Sequence, residues 1–256
     1  MCGLCEQQHH GVVRCALGWA CWKTYAGRPE EDDVWSLAMS ALGSALASNN
    51  KFDEGLVVYE ALLAVEQREP GMNTRIPDVQ GALASIYGRL GDTERALEMH
   101  RAVFSAKLKH PSKNIKGFVV TIQNLADSLM ELGRFAEARD FLKSQISILQ
   151  QFPSKYPEMK SLMGPDSEYM LILRETYTRT LFERRDPAPT NDDLREAIVI
   201  LEDLVRRTRR VFGAGHPDYA PREKRLWMVN VYLAANLKIA AGEQEAGIAM
   251  MREAFG

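Results

Sequence analysis

The residues best suited to chemistry crowd one end of the chain. Cys2, Cys5, Cys15 and Cys21 are its four cysteines, and His9 and His10 stand among them. Thiolate and imidazole are the donors that a tetrahedral zinc takes, and Cys2-x-x-Cys5 has the spacing of a zinc knuckle. Cys2, Cys5, His9, Cys15 and Cys21 therefore form a candidate zinc set. Five residues separate Cys15 from Cys21, however, and the Ala-Leu-Gly-Trp-Ala between them reads as a short apolar helix. The alternative is a group of reduced thiols, some buried and some terminal.

Catalytic patterns are missing from the rest of the chain. There is no Gly-x-x-x-x-Gly-Lys phosphate loop, no His-Glu-x-x-His helix and no Gly-x-Ser-x-Gly elbow. His110 and His216 each precede a proline, which reads as loop organisation rather than general-base work. His100 falls at a packing position of a helix. Arg206, Arg207, Arg209 and Arg210 form a basic run, but no aromatic platform accompanies it, and cations near a helix carboxyl terminus are favoured by the helix dipole alone. A non-enzymatic protein is expected.

Composition narrows the setting. A net charge of -2 gives no global attraction to polyanions, so nucleic acid or an anionic membrane would need a local basic patch. Neither is expected as a partner. No run of about 18 apolar residues is present, and Gly11 to Trp22 is broken by Arg14 with no basic segment ahead of it. The reading is of a soluble, cytoplasmic protein. Disulfides are not expected to hold it together, since the body beyond Cys21 has no cysteine.

What organises that body is a recurrence. Leu83, Ala84 and Tyr87 make an apolar stripe, Gly91-Asp92 breaks the helix, and Ala96, Leu97 and Val103 line the next one. Leu125, Ala126 and Leu129, then Gly133, Ala138 and Leu142, repeat the pattern. The first unit offers Leu42, Gly43 and Leu46 before Gly55 and Tyr59, with Asn50 at the turn where glycine usually supplies positive φ. Looser units put Tyr177 and Leu181 before Ala197, and Leu233 and Leu237 before Gly247. The small residues Gly55, Ala96, Ala138, Ala197 and Gly247 let paired helices cross closely, at spacings of 41, 42, 59 and 50 residues. Proline-bearing insertions at 152–166 and 186–192 stretch the third interval, with Asn191 or Asp192 expected to cap the helix that follows. Gly55 and Gly247 lack a methyl group, so packing specificity is expected to be weaker there.

These hairpins resemble tetratricopeptide repeats, and the period near 42 resembles the kinesin light chain type. Gly213-Ala-Gly215-His216-Pro217-Asp218 is similar to that family's Gly-x-x-His-Pro element, with a fragment at His110-Pro111. Gln123-Asn124-Leu125-Ala126 is similar to its Asn-Asn-Leu-Ala helix start. The resemblance implies an all-α, right-handed superhelical solenoid of about five antiparallel hairpins over residues 34–256, preceded by a Cys/His-containing segment at 1–33. It also implies that the first helix of each hairpin lines a concave face that binds a peptide of a partner protein. By that rule the contacts are Ser85 and Arg89, then Gln123, Asn124, Asp127 and Glu131, then Glu175 and Arg179. Asn124 leads, because an amide both donates to and accepts from an extended peptide backbone. A lysine and asparagine clamp for carboxyl-terminal tails is not matched, since Asp127 stands where the asparagine belongs. The rivals are an accessory module carrying a zinc segment and a structural subunit of a larger assembly.

Overall fold

The computed structural model describes residues 11–255 apart from 31, 69–74, 110–113, 156–159 and 184–186. All regular structure among the described residues is helical. In chain order the helices are α1 (Gly11–Tyr25), α2 (Asp33–Ser48), α3 (Phe52–Arg68), α4 (Ile76–Arg89), α5 (Thr93–Leu108), α6 (Ile115–Glu131) and α7 (Phe135–Gln150). Two single turns, α8 (Phe152–Lys155) and α9 (Lys160–Met163), precede α10 (Glu168–Phe182), α11 (Asn191–Phe212), α12 (Tyr219–Ala240) and α13 (Gln244–Phe255). The chain divides into two compact units, Met1–Ser128 and Leu129–Gly256.

Four of the turns between paired helices are one structure repeated. Asn50, Gly91, Gly133 and Gly242 have φ of 60, 92, 73 and 90°. The next residue's N–H then bonds a carbonyl five positions back: Lys51 to Leu46 at 3.0 Å, Asp92 to Tyr87 at 2.9 Å, Arg134 to Leu129 at 2.8 Å and Glu243 to Lys238 at 3.0 Å. This is the Schellman closure, which satisfies carbonyls the ending helix would orphan. Asparagine tolerates the left-handed region better than other side chains, so Asn50 replaces glycine as the sequence implied.

The same closure sets where the small residues fall. Gly55, Ala96, Ala138 and Gly247 are each the fourth residue of their helix, one turn past the Schellman bend. Ala197 is the seventh residue of α11, because that helix begins a turn earlier under a different cap. The cap is Thr190 rather than Asn191 or Asp192. Its hydroxyl accepts the Asp193 N–H at 3.1 Å while Asp193 accepts the Thr190 N–H at 3.0 Å, a reciprocal box.

The expectation for Gly247 is corrected. A Cβ built there falls 2.6 Å from Ile239 Cγ1 and 2.8 Å from the Ala235 carbonyl oxygen, so the glycine marks a very close crossing of α12 and α13. At Gly55 the corresponding distances, to the Gly43 carbonyl and Ile86 Cδ1, are both 3.4 Å. Gly247→Ala should therefore destabilise by about 1–3 kcal/mol through overpacking, outweighing the roughly 1 kcal/mol of helix propensity that alanine adds. Gly55→Ala should be neutral or stabilising. Denaturant midpoints of the two variants check this, and equal shifts would refute the distinction.

In the first unit α1 packs along α2, and α2 pairs with α3 as α4 does with α5. Gly18 lets α1 approach so closely that a Cβ would sit 2.7 Å from Ala45 Cβ. Cys15 fills the seam with Leu42 and Leu46, and Trp22 meets Trp35 edge-on at 5.8 Å. Asp32 caps α2 by accepting the Val34 N–H at 2.8 Å. The larger core joins Trp35, Met39, Leu62, Leu83 and Ile86.

In the second unit α7 packs on α10, α10 on α11, α11 on α12, and α12 on α13. Three of the four arginines of the run are paired within this unit. Arg206 and Arg207 bond Asp203, and Arg207 and Arg210 bond Asp166 at the end of the 152–166 insertion. Burial opposes charge on Asp203, yet hydrogen bonds from Arg207, Arg206 and Arg174 hold its carboxyl far below the usual range.

Candidate peptide-binding groove

Helices α2, α3 and α4 enclose an open groove of about 430 Å³ in the first unit. Phe52, Tyr59, Ala82 and Ile86 supply its apolar surface, and Ser44, Ser48, Asn50, Ser85 and Arg89 its polar one. Tyr59 lies over Gly43, where a Cβ would meet its ring at 2.7 Å, and donates its hydroxyl to the Ser40 carbonyl at 3.2 Å. Glycine in α2 is thus what allows the aromatic wall. Ser48 and Ser85 each turn their hydroxyl back on a carbonyl four residues earlier, at 2.7 and 3.0 Å, leaving oxygen lone pairs directed outward. Arg89 lies over the Phe52 ring at 5.4 Å, a cation–π contact that holds the guanidinium at the groove wall. Arg14 of α1 donates to Ser44 at 2.8 Å.

The structure brings together three of the residues expected from the sequence. Ser85 and Arg89 are exposed on this wall, and the Asn124 amide of α6 donates to the Ser85 hydroxyl at 3.4 Å. Gln123 and Asp127 are half-buried on α6, and Asp127 is already engaged in an interaction. Glu131 is exposed at the end of α6.

Glu175 and Arg179, in the second unit, are committed to internal pairs. Glu175 accepts from Arg222 at 2.9 Å and also from Arg225, while Arg179 pairs with Glu183 at 2.9 Å. Tyr177 between them donates to Glu196 at 2.7 Å. Burial, and then that carboxylate, push its hydroxyl up to about 12, so it remains a donor. A smaller depression of about 310 Å³ opens above it, walled by Lys143, Ile146 and Ile200.

Ser44, Ser48 and Phe52 were missed by sequence reading. Ser44 and Ser48 occupy α2, and a one-face projection of that helix beside α4 would have found them. Of the zinc set, Cys2, Cys5 and His9 lie outside the described residues. Cys15 is buried in the α1–α2 seam and Cys21 is half-buried. Among the described residues no three His, Cys, Asp or Glu side chains gather as a metal site.

The Gly213 to Asp218 element is built as a helix-to-helix corner. Gly213 ends α11 at φ 84°, the His216 ring packs on Phe212 at 4.8 Å, and His216 Nδ1 accepts the Asp218 N–H at 3.3 Å. Asp218 then accepts from Arg222 at 3.3 Å. His110 and Pro111 lie outside the described residues.

Helices of this kind, paired through identical turns, define an all-α helical repeat protein. The tetratricopeptide repeat family model matches residues 190–218, from the Thr190 cap through Asp218. Among solved structures the chain is similar to BtubC (BKLC) from P. vanneervenii, with a TM-score of 0.62 at 14% identity over 94% of this chain and 88% of that one. It is also similar to nearly identical TPR-like repeats described as kinesin light chain from Podosopora anserina, with a TM-score of 0.54 at 16% identity over 77% and 86%. A variant of that array gives 0.55 at 18% identity over 77% and 85%. No curated protein matches the sequence significantly. The fold is that of kinesin light chain-like tetratricopeptide repeat proteins. Among the described residues no helix is long and apolar enough to cross a membrane.

Proposed function

We propose that the protein is a non-enzymatic, cytoplasmic interaction module that takes an extended peptide of a partner protein along the α2–α4 groove. The observation that carries this reading is Ser85 and Arg89 on the groove wall, beside an aromatic and aliphatic surface, with the Asn124 amide of α6 donating to Ser85. Apolar side chains of the peptide would fill the space over Phe52, Tyr59 and Ile86 and supply most of the affinity. Asn124 would fix the peptide backbone, and the Asn124 amide can turn from Ser85 at little cost because that hydrogen bond is long. The lining includes the cation Arg89 and no carboxylate, which suits an acidic side chain there.

Pull-down followed by peptide-array mapping tests the reading. Asn124→Ala and Arg89→Ala should each weaken capture of the mapped peptide about fivefold to thirtyfold, the range of a 1–2 kcal/mol contact at an interface centre. Full capture by both variants would show that the groove is not the binding surface. An Asp127→Lys variant probes the adjoining α6 surface and should alter capture less than Asn124→Ala.

A further inference from the structure

Two arginines at the groove are held in place without a carboxylate. Arg14 rests on the Ser44 hydroxyl at 2.8 Å, and Arg89 on the Phe52 ring at 5.4 Å. Among the described residues neither guanidinium meets an acid, whereas Arg28 and Arg75 of the same unit lie on Asp32 and Asp33 at 2.8 and 2.9 Å. Both free charges reach one space. Ser44 and Arg89 line the groove from α2 and α4, so Arg14 stands at its α2 edge. Its charge is felt at Tyr59: burial pushes that hydroxyl up, and hydrogen bonds with Ser40 and Ser44, then the Arg14 charge, oppose the rise.

The acids of the surrounding helices are distant or engaged. Helix α1 has none, and the run that ends at Asp32 and Asp33 lies at the far end of α2, about 18 Å along the helix from Ser44. Asp78 opens α4 and is paired with Lys107. On α3, Glu54 pairs with Lys51, Glu60 accepts from Tyr87, Asp53 projects about 100° away from Phe52, and Glu66 is buried about 21 Å further along. Asp92 caps α5 through the Arg95 N–H, and Asp127 of α6 is already engaged. Two cations thus face one opening with no anion between them. A carboxylate would match a single one of them, whereas a phosphate monoester carries about -1.5 to -2 at neutral pH and offers three acceptor oxygens. Guanidinium forks are suited to such oxygens. The protons of Ser48 and Ser85 are spent on their own helices, so the donors for the anion are Arg14, Arg89 and the Asn50 amide on the lining.

We propose that the groove takes its peptide in phosphorylated form, with a phosphoserine or phosphothreonine seated between Arg14 and Arg89 and adjoining apolar side chains over Tyr59 and Ile86. This rests on the groove reading above and adds the chemistry of the peptide.

Fluorescence polarisation with the full chain tests it, using three pools of short degenerate peptides that carry phosphoserine, serine or glutamate at one fixed position. The phosphoserine pool should bind about thirtyfold or more tighter than the serine pool, and tighter than the glutamate pool. Arg14→Gln and Arg89→Gln should each cut the phosphoserine-to-serine ratio about fivefold or more. Both side chains are exposed, so helicity and melting should match the parent. Equal binding of the phosphoserine and serine pools overturns this inference, and the groove reading then stands or falls separately, on whether Asn124→Ala weakens the serine pool. Equal binding of the glutamate and phosphoserine pools overturns it in favour of an ordinary acidic peptide. A preference that both arginine variants retain puts the phosphate elsewhere and overturns it as well. No binding by any pool overturns it together with the groove reading.

Discussion

Arg222→Ala should destabilise the second unit by about 3–5 kcal/mol, the loss expected when one partner of a buried ion pair is removed. Arg222 is 1% exposed, and its guanidinium meets three acceptors, one on α10, one on α11 and one at the cap of α12. Nε donates to Glu175 of α10 at 2.9 Å, Nη1 to the Thr208 hydroxyl of α11 at 2.7 Å, and Nη2 to Asp218 at the start of α12 at 3.3 Å. Thr208 in turn donates to the Leu204 carbonyl at 2.8 Å, so its one proton is used and its lone pair is free to accept. Alanine removes all of this, leaves a cavity, and leaves Glu175 paired with Arg225. Lysine keeps the charge but serves one direction at a time, so Arg222→Lys should lose most of the same stability. Urea denaturation reads the effect. A cycle with Glu175→Gln should give a coupling of about 1–3 kcal/mol, and additive losses would show that the pair does not act as a unit.

This network also shows where sequence reading stops. The hairpin turns were legible because their requirement is local: a residue that accepts positive φ, followed closely by a helix start, is visible at Asn50, Gly91 and Gly133 without knowing anything distant. Ser85 and Asn124 were legible for a related reason, since a repeat places equivalent helix faces side by side. Glu175 was read as a groove contact because its own helix gives no hint of Arg222, which is 47 residues away. The arginine run looked like a solvated helix end for the same reason. Its acid Asp166 lies 41 residues from Arg207, inside an insertion that belongs to no repeat. Gly247 shows the limit from the other side. A glycine in a helix is equally the sign of loose packing and of a crossing too close for a methyl, and the distance to Ala235 alone separates them.

His100 should make the stability of the first unit fall as the solution is acidified from about pH 6.5 to about pH 4. The side chain is 3% exposed on α5, and Nδ1 is 2.9 Å from the Ser128 hydroxyl of α6. Burial is the dominant influence and lowers its pKa from 6.5 to about 4, opposed in part by the Gly81 carbonyl. The sign follows from proton binding. Above about pH 6.5 neither state is protonated and the contribution is complete; between 6.5 and 4 the unfolded chain takes a proton that the folded one refuses, so unfolding is favoured. The full swing is on the order of 3 kcal/mol. The equivalent positions of other hairpins hold Leu142 and Leu201, both fully buried, so the fold itself accepts an aliphatic side chain at that point. His100→Leu should therefore stay folded and lose this pH dependence, becoming more stable relative to the parent as pH falls. Denaturant titrations at pH 7, 5.5 and 4.5 decide, and parallel pH profiles for the two proteins would refute burial of a neutral imidazole. The window is set apart from that of Asp203, whose lowered pKa contributes stability present above about pH 4 and lost only as pH falls well below it. Two groups, one in each unit, thus give the chain two acid-sensitive steps of opposite chemistry: a histidine that must stay uncharged and a carboxylate that must stay charged.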